Sequence, residues 1–342
     1  MIGASMTATA FGAAADWTRR HVEAGRLPVA VLGIVDGDGV VDVAAFGTDP
    51  ISGRTAHVDD RFALYSVTKP LVALTAMRAV ERGLLTTDTP LTDALPAFAH
   101  PPVTLGHLLS HTSGIADLVL GASTPIASHG GATTLREAIE RAPLEFVTGT
   151  ARRYNNLAWE GVAALIEHAT GEPFAQQFGA MAASAGAENL SFGTDDVHAL
   201  HGYERYGHEP DQLLPLRHPA AGAAANAADL LAIGRSLLEA DGAIVSSTTL
   251  DAMIRPRTSG LYVIDANPLK AFEDFGLGWN RPRRPGLLDH NVFGHEGFCR
   301  SQFWFSPAAG RCVVLLTNRL DAVEPDVGVR FDELLNAAFS AP

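Results

Sequence analysis

The sequence predicts an α+β chain: an antiparallel sheet flanked by helices, together with a mostly helical region. Two observations carry this. β-rich runs cluster at the two ends, at 29–35, 40–46, 275–279, 292–295, 302–305 and 312–316, and the stretch between them reads as short helices and turns. The strand runs also fail to alternate with helices, which a parallel βαβ sheet would require. With 342 residues, 47% hydrophobic and 18% charged, the chain can bury a large core. The expected division is a discontinuous α/β domain of residues 1–85 and 216–342 around a mostly helical domain of residues 86–215. The active site is expected between them.

The elements follow in order. Residues 13–24 read as a helix stopped by Gly25. The 29–35 and 40–46 runs flank Asp36-Gly37-Asp38-Gly39, a hairpin signal. Residues 71–82 read as an apolar helix ending at Gly83; 104–110, 134–142, 157–169, 173–185 and 227–240 read as further helices, and 328–339 as the last one. If Pro307–Gly310 is a turn, Cys312 faces Phe305 and Cys299 faces Asn318. The two cysteines are then expected as free, partly buried thiols.

A net charge of −13 argues against nucleic acid and anionic membranes as partners. No uninterrupted apolar run is long enough to span a bilayer, and residues 1–20 lack a basic segment followed by an apolar one, so the expectation is a cytoplasmic protein. Of 25 basic residues only two are lysines, Lys69 and Lys270. Arginine stays protonated at any working pH, whereas a buried lysine can lose its proton and act as a base.

Three short motifs can carry chemistry. In Ser66-Val67-Thr68-Lys69, Pro70 restricts the helix start to 66–69, which puts Ser66 and Lys69 one turn apart on one face. Unpaired N–H groups at a helix start can hold an oxyanion, and a neutral amine can take the hydroxyl proton. The plain alternative is an N-cap serine with a solvated lysine. In Tyr154-Asn155-Asn156, on a loop before an apolar helix, the tyrosine can share a proton with a serine or lysine if nearby cations favour its phenolate, and Asn156 can hold a substrate amide or the lysine head. Packing for the tyrosine and helix capping for the asparagine are the alternatives. In His295-Glu296-Gly297-Phe298, Gly297 allows close backbone approach, the following N–H can complete an oxyanion hole, and His295 can polarise an acyl substrate.

Read together, Ser-x-x-Lys, Tyr-x-Asn and His-x-Gly in this order resemble the serine β-lactamase and penicillin-binding-protein superfamily. The likeness is greatest to its class C branch, which includes D-aminopeptidases, DD-peptidases, esterases and transacylases. Leu108–Ile115 is similar to the family's "LLSHTSGI" stretch, Phe275–Trp279 to its "YGLGW" strand, and Val313–Arg319 to its closing strand. The resemblance implies Ser66 as nucleophile and Lys69 as proton acceptor or electrostatic partner. It implies Tyr154 as helper of leaving-group protonation, and Asn156 as the group that orients the substrate carbonyl. His295 stands where the family has an alternative lysine, and the N–H groups of Ser66 and Phe298, beside Gly297, would form the oxyanion hole. The implied function is cleavage of a small-molecule ester or amide through an acyl-Ser66 ester, with no metal or organic cofactor. Acyl transfer to an amine or alcohol, β-lactamase or D-aminopeptidase/DD-peptidase activity, and a non-catalytic ligand-binding homologue remain as alternatives.

The pattern departs in two places. Asn155 stands where members carry Ser or Ala. Glu296 stands where β-lactam-processing members carry Thr; facing the cleft it would repel a substrate carboxylate and favour an ammonium, whereas strand alternation can also point it away. His198, His201, His208 and His218 show no ligand spacing for a metal. Structural roles are expected for His107 and His111. Trp279, Phe298 and Trp304 are candidates both for an acyl pocket and for core.

Overall fold

The computed structural model describes residues 6–39, 41–117, 134–193, 195–206, 217–265 and 271–340. The chain begins with α1 (Met6–Glu23), β1 (Val29–Asp36), β2 (Val41–Gly47), β3 (Phe62–Ala63) and α2 (Thr68–Glu81). Next come α3 (Leu105–Leu109), α4 (Leu135–Arg141), β4 (Ala151–Arg152), α5 (Ala158–Thr170), α6 (Phe174–Ser184) and β5 (Ser191–Phe192). The rest comprises β6 (Ala223–Ala225), α7 (Ala227–Glu239), α8 (Ser247–Ile254), β7 (Tyr262–Val263), β8 (Glu273–Phe275), β9 (Asn280–Pro282), β10 (Phe293–Glu296), β11 (Gln302–Ser306), β12 (Arg311–Thr317) and α9 (Phe331–Ser340).

The main sheet has seven strands in the order β2-β1-β12-β11-β10-β9-β8, each neighbouring pair antiparallel. The chain's two ends therefore meet in one sheet. The apolar run of β1 is buried along nearly its whole length because its alternate side chains enter two cores. Ala30, Leu32 and Ile34 pack with α1 and α9 residues such as Trp17 and Leu334. Val29, Val31 and Val35 join a core that continues through Leu71 and Leu74 of α2 to Val162 and Ile166 of α5. β12 divides likewise, with Val313 and Leu315 on the first side and Val314 and Leu316 on the second. Two glycines let α7 lie close on the sheet. A Cβ at Gly33 would stand 2.5 Å from Leu231 Cδ1, and one at Gly234 would stand 2.7 Å from Cys312 Sγ.

Most expected elements are present within a few residues of their expected bounds. Cys312 pairs with Phe305 in register, and both cysteines are free and buried. The first helix starts at Met6, seven residues before its expected start, and the 275–279 run departs in kind. It is the end of β8 and a turn into β9, not one strand. The turn drops Gly278 (φ 81) onto α2, where a Cβ would lie 2.2 Å from that of Ala73, and the Gly278 N–H donates to Leu109 O at 2.9 Å. Such an inward turn needs glycine and excludes ladder pairing. No helix among the described residues is long and apolar enough to cross a membrane.

Candidate active site

β3 ends in a single 3₁₀ turn, Tyr65–Val67, that runs directly into α2. Tyr65 holds φ 46, a left-handed backbone costly for a non-glycine residue, and it aims the next residue, Ser66, outward from the turn. Thr68 Oγ1 accepts the Ala223 N–H at 3.2 Å, which ties the start of α2 to β6. Pro70 is the third residue of α2, where a missing N–H costs nothing.

Lys69 is completely buried. Its Nζ lies 3.0 Å from Ser66 Oγ, 2.8 Å from Asn156 Oδ1 and 3.1 Å from Ala220 O. The orientation of Asn156 is fixed by Asp117, whose carboxylate can only accept. Asp117 Oδ2 takes the Asn156 Nδ2–H at 2.8 Å and the Asn156 backbone N–H at 3.0 Å, and Oδ1 takes the Leu157 N–H at 3.2 Å. The amide oxygen therefore faces the lysine. Asp117 also sits at the N-terminus of α5, where a negative charge is favourable.

Tyr154, 88 residues beyond Ser66, brings its hydroxyl to 2.8 Å from Ser66 Oγ and donates to it. The ring stacks on His111 at 4.5 Å, and Lys69 Nζ lies 4.7 Å from the ring centroid. Its backbone N–H donates to Asp265 Oδ2 at 3.3 Å. Burial pushes the Tyr154 hydroxyl well above its usual pKa; Glu273, Asp117 and Glu296 push the same way, and the Ser66 hydrogen bond opposes them. A phenolate needs nearby cations, and Lys69 Nζ, 4.7 Å from the ring centroid, is one; desolvation works against it and favours the protonated hydroxyl that donates to Ser66. A neutral phenol donates to Ser66 and does not take its proton. Asn155 caps α5 through Oδ1, which accepts the Ala158 N–H at 2.7 Å, and Nδ2 donates to Ile115 O at 2.5 Å.

The last motif closes the other side. A Cβ on Gly297 would lie 2.4 Å from Leu64 O, so glycine is what lets the end of β10 touch the turn that carries Ser66. The Gly297 N–H is engaged by Ser301 O at 2.7 Å. Phe298 is 41% exposed, and its ring meets Tyr65 edge-on at 5.9 Å. His295 is buried with its ring 6.1 Å from that of Tyr154; its Nδ1 is 2.8 Å from Glu296 O, so Nδ1 carries a proton. Glu296 does not share its face. It pairs with Gln302, whose Oε1 accepts from Trp304 Nε1 at 2.7 Å, and Trp304 belongs to the α1/α9 core. Of the two directions left open for Glu296, strand alternation favours the face opposite His295, where its charge reaches Asp332 of α9 as well as Tyr154.

The other histidines do not converge. His198 Nε2 meets Asp60 at 2.9 Å and His201 Nε2 meets Asp49 at 2.7 Å. His218 lies beside Lys69, and His208 is outside the described residues. Among the described residues no group of His, Cys, Asp or Glu could hold a metal ion. His107 completes a capping box with Thr104 at the start of α3. Trp279 and Trp304 are fully buried core residues; Phe298 alone of the three aromatics is exposed. The sequence reading missed Asp117, the stacking of His111 and the carbonyl of Ala220. Only His111 carried a signal, its place in the Leu108–Ile115 stretch.

The β-lactamase family profile matches residues 14–337. The esterase EstB of Burkholderia gladioli is 37% identical over 153 residues, which span 40% of this chain and 39% of the esterase. Penicillin-binding protein 4 of Amycolatopsis lactamdurans is 38% identical over 105 residues, 29% of this chain and 26% of its own length. The matched stretches thus span well under half of either relative. Among solved structures, EstCE1, described as a hydrolase with promiscuous acyltransferase activity, superposes with a TM-score of 0.78 at 22% identity over 97% of this chain and 98% of its own. A D-stereospecific amidohydrolase from Streptomyces does so with a TM-score of 0.73 at 18% identity over 97% of this chain and 99% of its own. At these identities the two structures speak for the fold. The profile, the sequence relatives and the fold agree, and the chain belongs to the β-lactamase family.

Proposed function

We propose that this chain is a serine hydrolase that cleaves a small-molecule ester or amide through an acyl-Ser66 intermediate. The cleft lies between a sheet domain of residues 1–85 and 216–342 and a helical domain of residues 86–215. The observation that carries the reading is the position of Ser66 Oγ between two proton-handling groups, 3.0 Å from Lys69 Nζ and 2.8 Å from Tyr154 Oη.

Tyr154 Oη and Lys69 Nζ both donate to Ser66 Oγ in the structure; once the amine is neutral, the serine's own proton is directed to it. Asn156 Oδ1 and Ala220 O can only accept, and they hold two N–H groups of Lys69; in the deprotonated form that the proton transfer needs, the lone pair is left for Ser66. Oγ attacks the substrate carbonyl carbon as Lys69 takes the Oγ proton. The resulting oxyanion is held by the N–H groups of Ser66 and Phe298. The carbonyl re-forms, the bond to the leaving alkoxide or amine breaks, and Tyr154 hands the leaving group a proton that Lys69 replaces. Water then attacks the ester by the reverse route. Asn156 and His295 orient the acyl group, and Phe298 presents an apolar wall to it.

The same acyl-enzyme serves acyl transfer when an amine or alcohol replaces water. The charges of Glu273 and Asp117 near Tyr154 disfavour a substrate that carries a carboxylate beside the scissile bond, as β-lactams do. The test is product analysis with a p-nitrophenyl short-chain ester, with and without added alcohol or amine, beside a chromogenic cephalosporin. The reading expects ester turnover to the free acid and slow cephalosporin turnover. A product found only as the new ester or amide makes the chain a transferase, and rapid cephalosporin turnover overturns the substrate assignment.

A further inference from the structure

His218 takes no part in the scheme above, yet it is completely buried and close enough to Lys69 to feel its charge. It opens a tight turn. Its carbonyl accepts the N–H groups of Ala221 at 2.9 Å and Gly222 at 2.7 Å, and its Nδ1 accepts the Ala220 N–H at 2.9 Å. Arg217 before it holds φ 50, and a Cβ at Gly222 would lie 2.6 Å from His218 N. The peptide joining Ala220 to Ala221 is therefore fixed at both ends. Its N–H points to His218 O, and its carbonyl points to Lys69 Nζ at 3.1 Å.

The ring's protonation state follows from the same contacts. Nδ1 faces an N–H that can only donate, so Nδ1 carries no proton and the imidazole is the Nε2–H tautomer. Charging the ring would set two N–H groups against each other. Burial, with Lys69 adding to it, also holds the pKa of His218 down to about 3.

We infer that His218 is a positioning residue for Lys69: as a neutral imidazole it locks the 218–222 turn, which fixes the Ala220 carbonyl on one N–H of the amine and so aims the amine at Ser66. The inference rests on the reading of Ser66 and Lys69 given above. In the absence of the Nδ1 acceptor, the Ala220 N–H is buried without its partner and the turn relaxes. The amine then keeps Asn156 as its fixed acceptor and loses its direction.

The experiment compares wild type, His218→Leu and His218→Asn. It follows p-nitrophenyl ester kinetics, the rate of labelling by a fluorophosphonate, which reports an activated serine, and the thermal midpoint. For His218→Leu, kcat and labelling should fall together by roughly tenfold to a hundredfold with KM little changed. Asparagine, whose Oδ1 can stand where Nδ1 stood, should recover at least half of that loss on a logarithmic scale. Equal losses in both variants, tracking the thermal midpoint, would mean a merely structural histidine. Wild-type rates in His218→Leu would end the proposal. A wild type that the fluorophosphonate does not label would instead remove the assignment of Ser66 beneath it. Nitrogen NMR of the wild-type imidazoles needs no variant: His218 should appear as the neutral Nε2–H form at about pH 6, and a charged or Nδ1–H ring overturns the inference even if His218→Leu fails to fold.

Discussion

Lys69→Arg should lower kcat for an activated ester by about a thousandfold or more, as much as Lys69→Met does. The two substitutions differ in charge but share one defect, since neither side chain can accept a proton from Ser66. Arginine keeps a positive charge in the pocket, so equal losses would separate base catalysis from simple electrostatic support. Size also counts against arginine. Nζ is enclosed by Ser66, Asn156 and Ala220 within 3.1 Å, and a planar guanidinium cannot place a nitrogen at the same point. Thermal midpoints show whether each variant is folded, and the comparison is made on kcat, since substrate contacts do not involve Lys69. An arginine enzyme that keeps a tenth of wild-type kcat would assign the lysine an electrostatic role and leave the proton acceptor to be found elsewhere.

The second large effect is on stability. His21 and His218 are buried neutral, with pKa values held down from 6.5 to about 4 and about 3. For His21 the causes are burial and then Arg26; for His218 they are burial and then Lys69. Because the unfolded chain takes up these protons at higher pH than the folded one, stability falls as pH drops below 6.5 and continues to fall down to the folded values. At about pH 5 each histidine costs about 2 kcal/mol relative to neutral pH. Glu160, Asp229 and Asp332, whose carboxyls burial pushes up, act in the opposite sense and offset part of the loss. Asp49 and Asp60, held below the usual range, matter only at lower pH. The His21 contribution is isolated with His21→Phe, which preserves a ring tilted against Trp17 at 4.2 Å. Urea unfolding at about pH 7.5 and about pH 5 should show the variant losing about 2 kcal/mol less than wild type. Identical losses would mean that His21 is charged in the folded state.

Much of the scaffold was legible because its signals are local. The all-apolar run at 29–35, the hairpin glycines after it and the long apolar helices each fix an element within about one turn's length of sequence. Pro70 and the scarcity of lysine marked Ser66 and Lys69 before any contact was known. What stayed hidden depends on distant partners. β3, β4 and β5 have two residues each, too few for any periodicity. The 275–279 run is β-rich in composition, yet it turns because Gly278 packs on Ala73. The direction of Glu296 needed the register with Gln302. Asp117 acts through hydrogen bonds to residues about forty positions away and His218 through those of an irregular turn, and no spacing announces such contacts.

The central claim is that Ser66 becomes acylated. Intact-mass spectrometry of wild type and Ser66→Ala, quenched during turnover of a p-nitrophenyl ester, tests it directly, with peptide mapping to locate the adduct. The account predicts one acyl group on the wild type, in the peptide containing Ser66, and none on the variant. An adduct on another residue, or the same adduct and the same turnover in Ser66→Ala, would contradict it.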